Sequence, residues 1–127
     1  MIAAHESYRN QNAKFWIEDG ILFFEYKMNT AIDLEVATRV VADRITLQNE
    51  RHLPVFCDMR GMISIDKAGR DYLAKSGSLQ AKAVALLVNE NVSMTLSTFY
   101  LEISKPSAPT QIFTDEEEAL EYLRGFI

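Results

Sequence analysis

Two continuous apolar runs constrain this chain most: Ala83-Val84-Ala85-Leu86-Leu87-Val88 and the shorter Pro54-Val55-Phe56-Cys57. A strand with one wet face alternates apolar and polar residues. An unbroken apolar run of this length fits a strand buried on both faces. Each run leads into a segment of helical spacing, carrying Tyr72 and Leu73 after the first and Val92, Leu96, Phe99, Tyr100 and Ile103 after the second. Strand, helix, strand in that order predicts crossovers between parallel strands.

The segments around these runs complete the pattern. Phe15-Trp16-Ile17 and Ile21 to Tyr26 flank Asp19-Gly20, a dipeptide that accepts the positive φ angles of a tight hairpin turn. They predict two antiparallel strands, with an extra edge strand around Ser7 to Asn10. The second strand carries apolar residues on both faces and is expected to be covered on two sides. Thr30 to Glu50 has helical spacing, with Ala37, Val40, Val41 and Ile45 on one face and either Thr30 or Asp33 as N-cap. Asp66 offers the cap of a second helix that closes near Gly77. Pro106 and Pro109 stop the third helix, Gln111-Ile112-Phe113 is a last short strand, and Thr114-Asp115-Glu116-Glu117 reads as a capping box with Thr114 at N-cap. The expectation is an α/β fold. An N-terminal antiparallel hairpin and then parallel strands form a mixed sheet, packed with about four helices in one domain spanning residues 1–127.

Composition narrows the function. With 127 residues, 48% hydrophobic and 24% charged, the chain is neither a disordered tail, a collagen-like fibre nor a disulfide scaffold. A domain of this size buries roughly 68% of its unfolded surface, which leaves little material for an elaborate catalytic pocket. A net charge of −5 with scattered basic residues argues against nucleic acid as a partner. The lone Cys57 makes no internal disulfide, the N-terminus lacks the apolar stretch of a signal peptide, and no run approaches the ~18 residues of a membrane span. A soluble cytoplasmic protein, without stable membrane insertion, is expected.

Few residues point to chemistry. His5 and His52 stand far apart with no ligand spacing, so no metal or cofactor is expected, and both read as surface residues. Cys57 lies inside an apolar strand, where a thiol is inert. Gly61 and Gly69 form no phosphate loop, and no nucleophile elbow is present. The segment Asp58 to Asp66 is more informative, because it follows a parallel strand and precedes a helix, where open α/β sheets gather ligands and helix N-termini favour anions. Asp58, Arg60, Gly61, Ser64, Asp66 and Arg70 are the candidate binding residues. On a plainer reading Asp58 pairs with one of the two arginines and Asp66 only caps the helix. Trp16, Phe99 and Tyr100, with Phe23 and Phe24, line an apolar pocket, form a homodimer face, or belong to the core.

The strand–loop–helix of residues 54–75 resembles the STAS fold of bacterial anti-sigma-factor antagonists. More closely, the chain is similar to small bacterial STAS-like (SpoIIAA-like) proteins. The segments that carry the likeness are WIEDGILFFEY (Trp16 to Tyr26), PVFCDMRG (Pro54 to Gly61), AGRDYLAK (Ala68 to Lys75), KAVALLV (Lys82 to Val88) and KPSAPTQIFTDEEEALEYL (Lys105 to Leu123). The antagonists open the helix after the central strand with an Asp-Ser-Ser/Thr-Gly type motif, whose serine is phosphorylated by a kinase that is also the partner. Here the stretch is Asp66-Lys67-Ala68-Gly69, in which Lys67 and Ala68 replace both hydroxyls and Ser64 lies too early.

The resemblance implies a fold and no established activity. With the candidate residues it gives the expectation of a non-enzymatic binding or regulatory domain, without the usual phosphorylatable serine, that presents the loop Asp58 to Asp66 and the following helix to a protein partner or small anionic ligand. The alternative is a carrier of a small apolar or lipid-like molecule, since the fold resembles that of CRAL-TRIO-type domains. No acid, base and nucleophile set suggests an enzyme. Self-association through the hairpin edge or the Phe99-Tyr100 helix is a further expectation.

Overall fold

The computed structural model describes residues 6–90 and 92–127, without the side chains of Val92 and Phe99. The expectations for His5 and for the Phe99 side chain therefore lie outside the described residues. The elements are β1 (Ser7–Arg9), β2 (Ala13–Glu18), β3 (Ile21–Tyr26), β4 (Thr30–Ile32), α1 (Leu34–Gln48), β5 (Leu53–Asp58), β6 (Met62–Ile65), α2 (Lys67–Lys75), β7 (Ala81–Leu87), α3 (Val92–Phe99), β8 (Thr110–Phe113) and α4 (Glu116–Arg124). A 3₁₀ turn, Ser76–Ser78, follows α2, and a π-helical turn, Tyr100–Ser104, follows α3.

The main sheet runs β1-β2-β3-β5-β7-β8. β1, β2 and β3 are antiparallel, and β3, β5, β7 and β8 are parallel. Asp19 and Gly20, with φ of 52° and 79°, make the two-residue turn between β2 and β3, pairing Glu18 with Ile21. The apolar runs become β5 and β7, adjacent central strands buried on both faces as their composition requires.

Each face has its own core. Phe15, Leu22, Phe24, Val55, Cys57 and Leu86 pack beneath α1, α2 and α3. Ile21, Phe56, Ala83, Ala85 and Leu87 meet Ala119 and Leu123 of α4. α4 covers β5, β7 and β8. The hairpin end of that second face is open, so Phe23 and Trp16 are only half-buried, and two-sided coverage of β3 is incomplete.

Several local expectations need correction. Thr30 is a strand residue, and Asp33 caps α1 by accepting from Val36 N at 2.9 Å. β6, within the stretch expected as loop, pairs with β4 in a separate parallel ribbon. The N-cap of α4 is Asp115, which accepts from Glu118 N at 2.9 Å, one residue beyond Thr114. Ile103 is exposed, because the π-helical turn breaks the helical period there. The inner face of α1 runs through Ala37, Val40, Val41, Arg44 and Gln48, leaving Ile45 half-buried.

Candidate functional site

β5 ends at the buried Asp58, and the chain turns back on it. Arg60 donates from Nε to Asp58 Oδ1 at 2.9 Å and from Nη2 to Oδ2 at 2.8 Å, and its backbone N–H donates to Oδ1 at 3.0 Å. This bidentate fork fixes the guanidinium plane and holds its proton more tightly than usual, through the hydrogen bond to Asp58. Asp58 is thereby the partner of Arg60, as the plainer reading of the sequence had it.

Gly61 is pressed against the link between β3 and β4. A Cβ there would sit 2.4 Å from the Lys27 carbonyl oxygen and 2.6 Å from that of Tyr26. Its own carbonyl accepts from Thr30 N at 3.0 Å, which starts the β4–β6 ribbon. Ser64 is exposed in β6 opposite Ala31. Asp66 caps α2 by accepting from Gly69 N at 2.8 Å. Arg70 lies half-buried in α2, on the sheet face opposite α4, whereas Arg60 lines a groove against α4. The structure therefore does not gather the two arginines into one anion pocket.

What it gathers instead is a platform. Asp66 N–H donates to the Ile32 carbonyl at 3.1 Å, and a Cβ on Gly69 would lie 3.0 Å from the same oxygen, so the N-termini of α1 and α2 abut. Three large apolar side chains face solvent along the segments that lead into these helices: Ile63 in β6 (52% exposed), Leu34 at the start of α1 (48%) and Met28 in the link between β3 and β4 (73%). Ala31, Ser64, Asp66, Lys67 and Ala68 are exposed beside them. Lys67 pairs with Asp71 across one turn at 2.6 Å. Sequence reasoning passed over Ile63 because it treated the segment as loop. That Met62 is buried and Ile63 exposed shows only once β6 is paired with β4.

The aromatic candidates divide between the sheet faces. Trp16 stacks on Phe23 with centroids 5.2 Å apart and lines, with Arg60, a groove of about 510 Å³ between the hairpin and α4. Tyr100 lines a cavity of about 60 Å³ on the other face, beneath α1, α2 and α3. Trp16 and Tyr100 therefore share no pocket. Burial drives the Cys57 thiol far above its ordinary range, so the thiolate that nucleophilic chemistry needs is suppressed. Among the described residues no group of three or more His, Cys, Asp or Glu converges on a metal position. No helix among them is long and apolar enough to cross a membrane.

This architecture is a SpoIIAA-like fold. A protein of the DUF3478 family from Shewanella loihica PV-4 with a SpoIIAA-like fold superposes with a TM-score of 0.54 at 16% identity, covering 91% of this chain and 98% of that one. An anti-sigma factor antagonist from Mycobacterium paratuberculosis superposes with a TM-score of 0.56 at 16% identity, covering 98% and 99%. At this identity the likeness is one of fold. The chain belongs to the DUF7793 family, a domain of unknown function, over residues 15–127. No curated protein matches it significantly in sequence.

Proposed function

We propose that the chain is a cytoplasmic, non-catalytic binding and regulatory domain that docks a protein partner on the platform at the N-termini of α1 and α2. The observation that carries this reading is the exposure of Ile63 and Leu34, with Met28 earlier in the same stretch, on segments leading into two capped helix starts that abut. Large exposed apolar side chains are what a partner buries. The fold neighbour that is an anti-sigma factor antagonist supports a protein as the partner. The stretch Asp66-Lys67-Ala68-Gly69 offers no hydroxyl, so phosphorylation at this helix start does not govern docking.

A lipid-like ligand does not fit the inner cavity. The inner cavity of about 60 Å³ is smaller than the ~150 Å³ that admits benzene. The partner reading is tested with a photo-cross-linking residue at position 63, expressed in the source organism, against the same residue at position 79. Leu79 is 55% exposed but precedes β7, at the other end of the strands. A discrete adduct from position 63 alone is expected. Identical adducts from both positions, or none from 63, would overturn the assignment.

A further inference from the structure

The cavity beneath α1, α2 and α3 is walled mainly by apolar groups, among them Val41, Val55, Leu86 and Leu96. Into this wall are set polar side chains that an apolar core does not need: Arg44, Ser97, Tyr26 and Tyr100. Arg44 is 2% exposed. Its Nη1 donates to Gln48 Oε1 and its Nη2 to the Gly77 carbonyl at 3.0 Å, both neutral acceptors. Among the described residues no carboxylate forms an ion pair with it. A buried charge without a counter-ion is costly, and it is normally paired or removed. Burial lowers the Arg44 pKa to about 10, so the guanidinium still carries its full charge at neutral pH.

A second unmet demand lies in the same volume. Ser97 is 1% exposed, and its hydroxyl has no hydrogen-bond partner among the described residues. A cation lacking an anion and a hydroxyl lacking an acceptor thus line one space. Water would satisfy the hydroxyl and leave the charge uncompensated. An anion with an apolar end satisfies both and also suits the wall. About 60 Å³ is several times the roughly 10–15 Å³ that one water needs by this measure, which limits the ligand to a few heavy atoms.

We propose that this cavity binds a small carboxylate of about one to three carbons, its oxygens on Arg44 and the Ser97 hydroxyl and its apolar end against Val41 and Leu96. The site goes beyond partner docking and stands independently of it. Leu73 and Gly77, in α2 and the turn after it, also line the cavity, so an occupant touches the helix whose N-terminus forms the platform.

The test is a titration of the ¹⁵N-labelled full chain with sodium acetate, with acetamide and sodium chloride as controls. Acetate is expected to shift the Arg44 Nε–H and the Ser97 amide saturably, and neither control should do so. Arg44→Met should abolish the response. Should loss of the ties to Gln48 and Gly77 unfold that variant, Ser97→Leu fills the volume while leaving those ties, and acetate should bind at least about tenfold more weakly. Undiminished saturation in Ser97→Leu would overturn the site. So would an equal response to chloride, shifts confined to exposed arginines such as Arg60 and Arg124, or no saturable shift at all, as for a cavity holding only water. Cross-linking at position 63 reads the partner surface separately from all of these.

Discussion

Gly61→Ala is the substitution whose effect follows most directly from the packing of the chain. The added methyl would meet the carbonyl oxygens of Lys27 at 2.4 Å and Tyr26 at 2.6 Å and the carbonyl carbon of Lys27 at 2.7 Å. All three are backbone atoms, so no rotamer change relieves the contact. The link between β3 and β4 must move by several tenths of an ångström. Overpacking of this kind costs about 1–3 kcal/mol. The same movement strains the bonds from Thr30 N to Gly61 O at 3.0 Å and from Thr30 Oγ1 to Lys27 O at 2.7 Å, at about 1 kcal/mol each. A total of about 3–5 kcal/mol corresponds to a fall in Tm of about 10–20 °C for a chain of this length. Urea unfolding followed by circular dichroism reads the loss directly. Gly125→Ala is the control, since its Cβ would meet only Tyr122 O at 3.5 Å, an ordinary contact. A loss below about 1 kcal/mol at Gly61, or equal losses at both positions, would refute the reasoning from close approach.

Alkaline pH should destabilise the fold steeply. Burial raises the pKa of Tyr26, Tyr100 and Cys57, whereas the unfolded chain releases these protons near 10.0, 10.0 and 9.0. Arg44 works the other way, releasing its proton at about 10 when folded and near 12.5 when unfolded. Among these four groups, above about pH 10 the folded chain holds three protons that the unfolded chain lacks and lacks one that it holds. The net two protons lower stability by roughly 2.7 kcal/mol per pH unit. Urea midpoints measured from pH 8 to 11 check this, and a flat profile would contradict it. Asp115→Ala should cost about 1 kcal/mol by removing the α4 cap, while Thr114→Ala should be nearly neutral; thermal melts with the opposite ranking would restore Thr114 as the cap.

Fold class was legible because apolar runs and turn residues act locally. Asp19-Gly20 dictates its hairpin, and the runs at Pro54 and Ala83 are too apolar for anything but central strands. What escaped notice depended on contacts distant in sequence. The β4–β6 ribbon is made of segments too short to announce themselves, each needing its partner to define which side faces solvent. Arg44 escaped for another reason. Its position completes the helical stripe of Ala37, Val40, Val41 and Gln48, but a charged residue is ordinarily assigned to the wet face. Its spacing was the signal, and only the missing carboxylate, visible in three dimensions, gives that spacing a meaning. Of the candidate residues, Asp58 pairs with Arg60, whereas Arg70 lies on the sheet's other side. No rule of sequence spacing carries Arg60 to the α4 groove and Arg70 to the opposite layer.

The platform around Ile63 is the surface proposed to receive a protein partner. Its most direct measurement is the affinity of the partner captured at position 63 for the wild-type chain and for Ile63→Asp, with Leu79→Asp as control. Burying a charge where a well-packed apolar side chain belonged costs 2 kcal/mol or more, so binding should weaken at least about thirtyfold for Ile63→Asp. Leu79→Asp should bind as the wild type does, and both variants should keep its Tm. Equal affinities for wild type and Ile63→Asp would rule this surface out as the docking site.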